Sequence, residues 1–265
     1  MQKPKFYFNR FLLVLSTFML FAFPQELRAD FADSTAKIYH ISAAANVTNN
    51  GVSLLPTFTL GKPAAIFDLS VGNEKIAFEP QFRFSLEGKP WSFIFWWRYK
   101  VANTKNFKFS IGTHPSVAFR NFQMYDSKGS TVNILGHHQY WATEFSPNWT
   151  LSKNVSLGVY YLYSHGFSEG STNNTNFITL NSTISNIKIA KNVFLRLYPQ
   201  VYFLKMDEKS GFYITETLTF SHKNSPFFIS SVLNKKLSSD IPGDDFIWNL
   251  SLHYVFSKRF KKIRL

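Results

Sequence analysis

The chain has 265 residues, with 18% aromatic and only 17% charged residues, thirty phenylalanines, no cysteine and a net charge of +13. Soluble domains carry roughly 25% charged residues, so this chain is short of the groups that wet a surface. The missing cysteines exclude a disulfide scaffold, a thiolate metal site and a thiol nucleophile. The basic residues are scattered through turns and alternate positions, not gathered on one stripe, which argues against nucleic acid and for anionic lipid headgroups.

Lys3, Lys5 and Arg10 precede the apolar run Phe11–Phe23. That order is the signature of an export leader, and the run is too short to span a bilayer. Cleavage is expected after Ala29, giving a signal peptide over 1–29 and a mature chain over 30–265. Residues 30–36 read as a polar lead.

From there strand-like runs follow one another at 37–47, 52–60, 64–71, 76–86, 91–101, 106–112, 116–125, 134–151, 155–165, 176–189, 193–205, 211–221, 227–236 and 246–257. No segment holds a helical period, and no Gly/Ser linker divides the chain. The stretch Ile76–Tyr99 shows the pattern best. Ile76, Phe78, Pro80, Phe82 and Phe84 share one parity, opposed by Ala77, Glu79, Gln81, Arg83 and Ser85. After Gly88-Lys89-Pro90 the alternation restarts, with Trp91, Phe93, Phe95, Trp97 and Tyr99 against Ser92, Ile94, Trp96, Arg98 and Lys100. A period of two with Gly-Pro punctuation is a hairpin of strands. Trp91 and Trp97/Tyr99, at opposite ends of one greasy face, read as two interfacial anchors. In the last run Phe246, Trp248, Leu250, Leu252, Tyr254 and Phe256 alternate with polar residues.

A soluble sheet would bury such a greasy face; a membrane barrel turns it outward to lipid and turns the charges inward. Low charge, many aromatics and no apolar run long enough for a spanning helix favour the barrel. The connections fall into a short class (Gly61-Lys62-Pro63, Gly88-Lys89-Pro90, Thr113-His114-Pro115, Ser152-Lys153-Asn154, Ala190-Lys191-Asn192, Asn224-Ser225-Pro226) and a class with longer polar stretches (126–133, 166–175, 206–210, 237–245). The expected fold is therefore all-β: a transmembrane antiparallel up-and-down β-barrel of 12–14 strands, with the short class periplasmic. Glu216 breaks the pattern by sharing parity with Ile214 and Leu218. A carboxylate facing lipid is unfavourable, so a bulge, a shielded spot or another register is expected there.

At this point the chain resembles bacterial outer-membrane β-barrel proteins. The ending WNLSLHYVFSKRF is similar to the terminal strand read by barrel-assembly machinery. It departs from it in lacking a Gly before the aromatic pair and in adding the basic tail 258–265. The Phe-, Lys- and Asn-rich composition with GKP turns is similar to barrels of Bacteroidota. The resemblance implies residence in the outer membrane of a Gram-negative cell, contact with outer-membrane lipids and lipopolysaccharide, and a monomer. It carries over no functional residue.

By parity the lumen-facing charges are Asp68, Glu79, Arg83, Arg98, Lys100, Lys108, Arg120, Glu144 and Arg196. Rings of charge select ions, so one reading is a porin passing small polar solutes, anions among them. The other is a filled barrel whose charges pair across strands, Glu79 with Arg83 or Arg98. His40 and Ser42 share a face as a base and nucleophile require, which leaves open an outer-membrane lipid-modifying hydrolase. A non-conducting structural barrel is the third alternative. His137 and His138 point to opposite faces and cannot share an ion. Asp240, Asp244 and Asp245 lie in an outer loop where a cation could bridge lipopolysaccharide. No catalytic residue, metal site or cofactor is assigned.

Overall fold

A computed structural model describes residues 38–125 and 130–261. The leader at 1–29, the lead at 30–36, part of the 126–133 loop and the end of the basic tail lie outside the described residues. Strands β1 (Ile38–Thr48), β2 (Ala64–Asn73), β3 (Ile76–Ser85), β4 (Pro90–Asn103), β5 (Phe107–Tyr125), β6 (Thr131–Thr150), β7 (Val155–Gly166), β8 (Asn174–Ala190), β9 (Val193–Met206), β10 (Lys209–His222) and β11 (Phe227–Ser239) each pair antiparallel with the next in sequence, and β11 pairs with both β12 (Phe246–Trp248) and β13 (Ser251–Lys261). β13 returns to β1 over eleven paired positions, Ile38↔Lys261 to Thr48↔Ser251, and closes the sheet. Closure removes every free strand edge, the only way a sheet can satisfy its backbone in lipid.

β12 and β13 are two halves of one wall strand, so the wall has twelve strands. The break is bridged by backbone bonds, from Asn49 N–H to Leu250 O (3.2 Å) and from Asn249 N–H to Val232 O (3.0 Å), and by side chains. Asn249 accepts the Val232 N–H at its Oδ1 (2.8 Å), and Asn49 Oδ1 accepts the Leu250 N–H (2.7 Å).

Two expected strands are absent from the wall. Residues 106–112 and 116–125 form the single strand β5, because Thr113-His114-Pro115 continues the ladder opposite Trp141–Thr143. Pro115 sits in that ladder although it has no N–H to give. The run 52–60 alternates but folds inward as a small hairpin. It is pinned by the Val52↔Thr59 bridge, by Ser53 N–H to Phe58 O (2.9 Å) and by Gly51 N–H to Lys62 O (2.9 Å).

The connections at 74–75, 104–106, 151–154, 191–192 and 223–226 share one end with the outer ends of β1 and β13; this is the turn end. Those at 49–63, 86–89, 126–130, 167–173, 207–208 and 240–245 share the loop end. The Gly-Lys-Pro turns at 61–63 and 88–90 therefore belong to the loop end, not to the short-turn class. Glu74-Lys75, where Asn73 Oδ1 accepts two backbone N–H groups, is the turn that punctuation did not mark. Left-handed Asn192 and Asn224 make two of the other tight turns, a conformation asparagine tolerates.

Alternation sorts the side chains as a membrane barrel requires. Outside, Phe67, Leu69 and Val71 on β2, Ile178 and Leu180 on β8, and Leu250, Leu252, Tyr254 and Phe256 around the final strand are all exposed. Trp141 and Trp149 share the outward face of β6. They stand eight positions apart, about 26 Å of strand, close to the roughly 25 Å between aromatic girdles.

Trp91 does not serve as such an anchor. A bulge at Trp91 of β4, opposite Arg83 and Phe84 of β3, shifts the register and turns both Trp91 and Ser92 inward. Trp91 is buried, against Gly51 and under the Arg83 guanidinium, 5.5 Å from its ring centroid. Glu216 keeps its outward parity and is shielded. Its Oε1 accepts the Tyr198 N–H (2.8 Å), and it pairs with Pro199.

Candidate functional site: the lumen

The inward faces of β7 to β10 build an aromatic wall. Tyr160, Phe177, Tyr202 and Tyr213 follow one another around the barrel at centroid separations of 6.0, 5.1 and 4.8 Å, the last pair stacked at 11°. Each hydroxyl finds a partner, as buried tyrosines need. Tyr202 donates to Asn234 Oδ1 (2.8 Å), Tyr213 meets Ser239 Oγ (2.7 Å) and Tyr160 donates to Glu144 Oε2 (2.8 Å). Leu55 and Phe58 of the inward hairpin and Ile241 of the 240–245 loop pack against this wall. The lumen is thus narrowed by apolar side chains toward the loop end.

The opposite wall is ionic. Arg98, Gly112 and Glu144 occupy one row across β4, β5 and β6. Since Gly112 has no side chain, Arg98 crosses it to reach Glu144 with a two-pronged contact, Nε to Oε1 (2.6 Å) and Nη2 to Oε2 (3.2 Å). A Cβ on Gly112 would lie 2.7 Å from Glu144 Oε1. Arg98 also donates to Glu79 Oε2 (2.5 Å) and stacks over Trp96 at 4.2 Å. Glu144 is 2% exposed. A buried carboxylate survives in low dielectric only when paired and hydrogen-bonded, and here Arg98 and Tyr160 supply both. Glu79 in turn accepts from Ser70 Oγ (3.1 Å), which meets His40 Nε2 at 3.2 Å. The chain His40–Ser70–Glu79–Arg98–Glu144–Tyr160 runs around half the barrel.

The residues singled out from sequence separate into three groups. Glu79, Arg98 and Glu144 form the paired belt, and the Glu79–Arg98 pair is the one the pairing reading anticipated. Asp68 and Arg83 lie inside without an ion pair to each other; Arg83 donates from Nη2 to Gln81 Oε1 (3.1 Å). Lys100, Lys108 and Arg196 are solvent-exposed toward the turn end, and Arg120 is exposed toward the loop end.

His40 and Ser42 share the inward face, but His40 bonds Ser70, and Ser70 gives its proton to Glu79. In a nucleophilic set the carboxylate orients the histidine; here it holds the serine. Among the described residues no cluster of three metal-ligating side chains occurs, and Asp245 is instead paired with Lys236 (3.2 Å). Gly112, Tyr160 and the Tyr202–Asn234 pair are site residues the parity reading did not single out. The register Arg98↔Gly112↔Glu144 is a three-strand property that no single strand displays.

Closure, a greasy outer belt and an inward ionic row define the class: a transmembrane up-and-down β-barrel. No protein-family model matches the chain and no curated protein sequence does. Solved structures similar in fold include the KdgM porin in complex with disordered oligogalacturonate (8% identity, 82% of this chain and 99% of that one, TM-score 0.48). An outer membrane channel from Pseudomonas putida F1 is similar over 89% of this chain and 100% of its own (10% identity, TM-score 0.48). The NanC porin is similar over 84% and 100% respectively (10% identity, TM-score 0.48). At such identities and scores these are likenesses of barrel architecture only.

Proposed function

We propose that the protein is an outer-membrane barrel that passes small polar solutes, anions among them, through a lumen narrowed toward the loop end. The observation that carries this is the inside-out distribution of its side chains. Apolar residues ring the outside, while the interior toward the turn end holds the exposed cations Lys100, Lys108 and Arg196. Among the described residues these three make no ion pair, unlike Arg98. Rings of unpaired cations favour anions, so any anion preference arises there and not at the paired belt. By the rule that longer loops face outward, the loop end is extracellular.

Planar-bilayer recording tests the proposal. Reconstituted protein gives discrete current steps, and its reversal potential in a salt gradient is displaced toward anions. The displacement shrinks in Lys100→Gln and Arg196→Gln. Absence of steps at every voltage removes the pore.

The inward hairpin favours a second reading, a barrel closed at rest. Leu55 and Phe58 pack against the aromatic wall. On that reading Leu55→Gly/Phe58→Gly conducts and the parent chain does not. The lipid-modifying hydrolase finds no support in the lumen-facing His40 and Ser42, which the wall separates from the bilayer.

A further inference from the structure

The 49–63 hairpin does not fill the loop end. Between it and the inner faces of β3 to β7 lies a chamber of about 360 Å³, within the range of small-molecule sites. Its lining includes the apolar side chains of Leu55, Phe58, Trp91, Ile94, Leu162 and Met206. It also includes Arg83, His114, Arg120 and His138, and no carboxylate lines the chamber.

Two features show a site rather than a packing gap. Arg83 is 7% exposed and Ser92 is 9% exposed, and both keep a polar atom, Nε and Oγ, with no hydrogen-bond partner. Buried donors left unpaired are costly, and almost all such groups in native structures have a partner. The carboxylate that bears on Arg83, Asp68, makes no ion pair with it and does not line the chamber. The second feature is the bulge at Trp91, opposite Arg83 and Phe84, which brings Trp91 and Ser92 to the same inward side. Bulges re-aim side chains next to binding sites. This one sets a hydroxyl donor and an indole face beside one guanidinium.

We propose that this chamber binds a small organic monoanion, a carboxylate carrying an apolar body, with the carboxylate at Arg83 and Ser92 and the body against Trp91 and Phe58. A carboxylate offers two acceptors to the orphaned donors and matches the guanidinium fork. A compact inorganic dianion would leave the apolar lining unused and pay more for desolvation. The site deepens the pore reading, since it lies in the same lumen at the end where solute would enter. Its occupancy does not require that current flow.

The test is titration calorimetry of the detergent-solubilised full barrel with benzoate, benzyl alcohol and inorganic phosphate as separate probes. Benzoate is expected to bind at one site, at least tenfold more tightly than either of the other two. Arg83→Gln weakens benzoate at least tenfold and Arg83→Lys recovers part of the loss. Arg120→Gln, at the exposed rim, weakens it less and serves should Arg83→Gln fail to give the heat-modifiable folded band. Absence of benzoate binding overturns the site. Equal binding of benzyl alcohol removes the role of charge, and equal binding of phosphate removes the apolar body. Because the measurement involves no conduction, a silent bilayer with normal benzoate binding defeats the pore alone.

Discussion

The two walls of the lumen solve one problem in opposite ways. On β7 to β10 large rings lean on one another and each hydroxyl is tied off by a single neighbour. On β2 to β6 the same inward positions hold charges, and burial is tolerable only because Arg98 is gripped by Glu79 and Glu144 together. The aromatic wall is a sum of nearest-neighbour contacts. The ionic wall is a single unit that fails if one member leaves.

Mutation can sharpen that contrast. The largest effect is expected for Glu144→Ala, which takes the two-pronged partner from the Arg98 guanidinium, leaving it Glu79 alone, and strands the Tyr160 hydroxyl inside the barrel. Removing one partner of a buried pair costs about 3–5 kcal/mol, seen as a lower temperature for loss of the heat-modifiable band. The triple change Glu79→Gln/Arg98→Met/Glu144→Leu should recover most of it, because no charge is then left alone. Gly112→Ala comes next. It pushes a methyl into the Glu144 carboxylate and obliges the pair to separate, at about 1–3 kcal/mol, read in the same assay. Smallest is Tyr202→Phe on the aromatic wall, about 1 kcal/mol for one hydrogen bond, with the ring stack intact. Should Tyr202→Phe cost as much as Glu144→Ala, the division between a cooperative wall and an additive one is wrong.

Much of this architecture is visible in single strands. Parity alone separates Leu250, Leu252 and Tyr254 outside from Asn249, Ser251 and His253 inside, because the pleat obliges it. Parity failed where the pleat is interrupted. The bulge opposite Arg83/Phe84 sends Trp91 inward, and nothing in Lys-Pro-Trp-Ser announces the extra residue. It also failed where alternation exists without a place in the wall. Residues 52–60 pair with themselves because the short span from Gly51 to Lys62 closes a hairpin before reaching a neighbour. Thr113-His114-Pro115 looks like a turn from its proline but lies in a strand whose partner, β6, supplies the continuity. The charged belt was legible as a set of residues and illegible as a set of pairs, since pairing depends on which rows align across three strands. The alignment of Gly112 between Arg98 and Glu144 is a fact of register.

The interrupted final strand has a consequence for how such a cylinder tolerates sequence drift. Elsewhere the main chain holds neighbouring strands together and side-chain substitution leaves those bonds in place. At this joint the side-chain amides of Asn49 and Asn249 share that role with the main chain, standing in for carbonyls, so an ordinary codon change there can loosen the hoop.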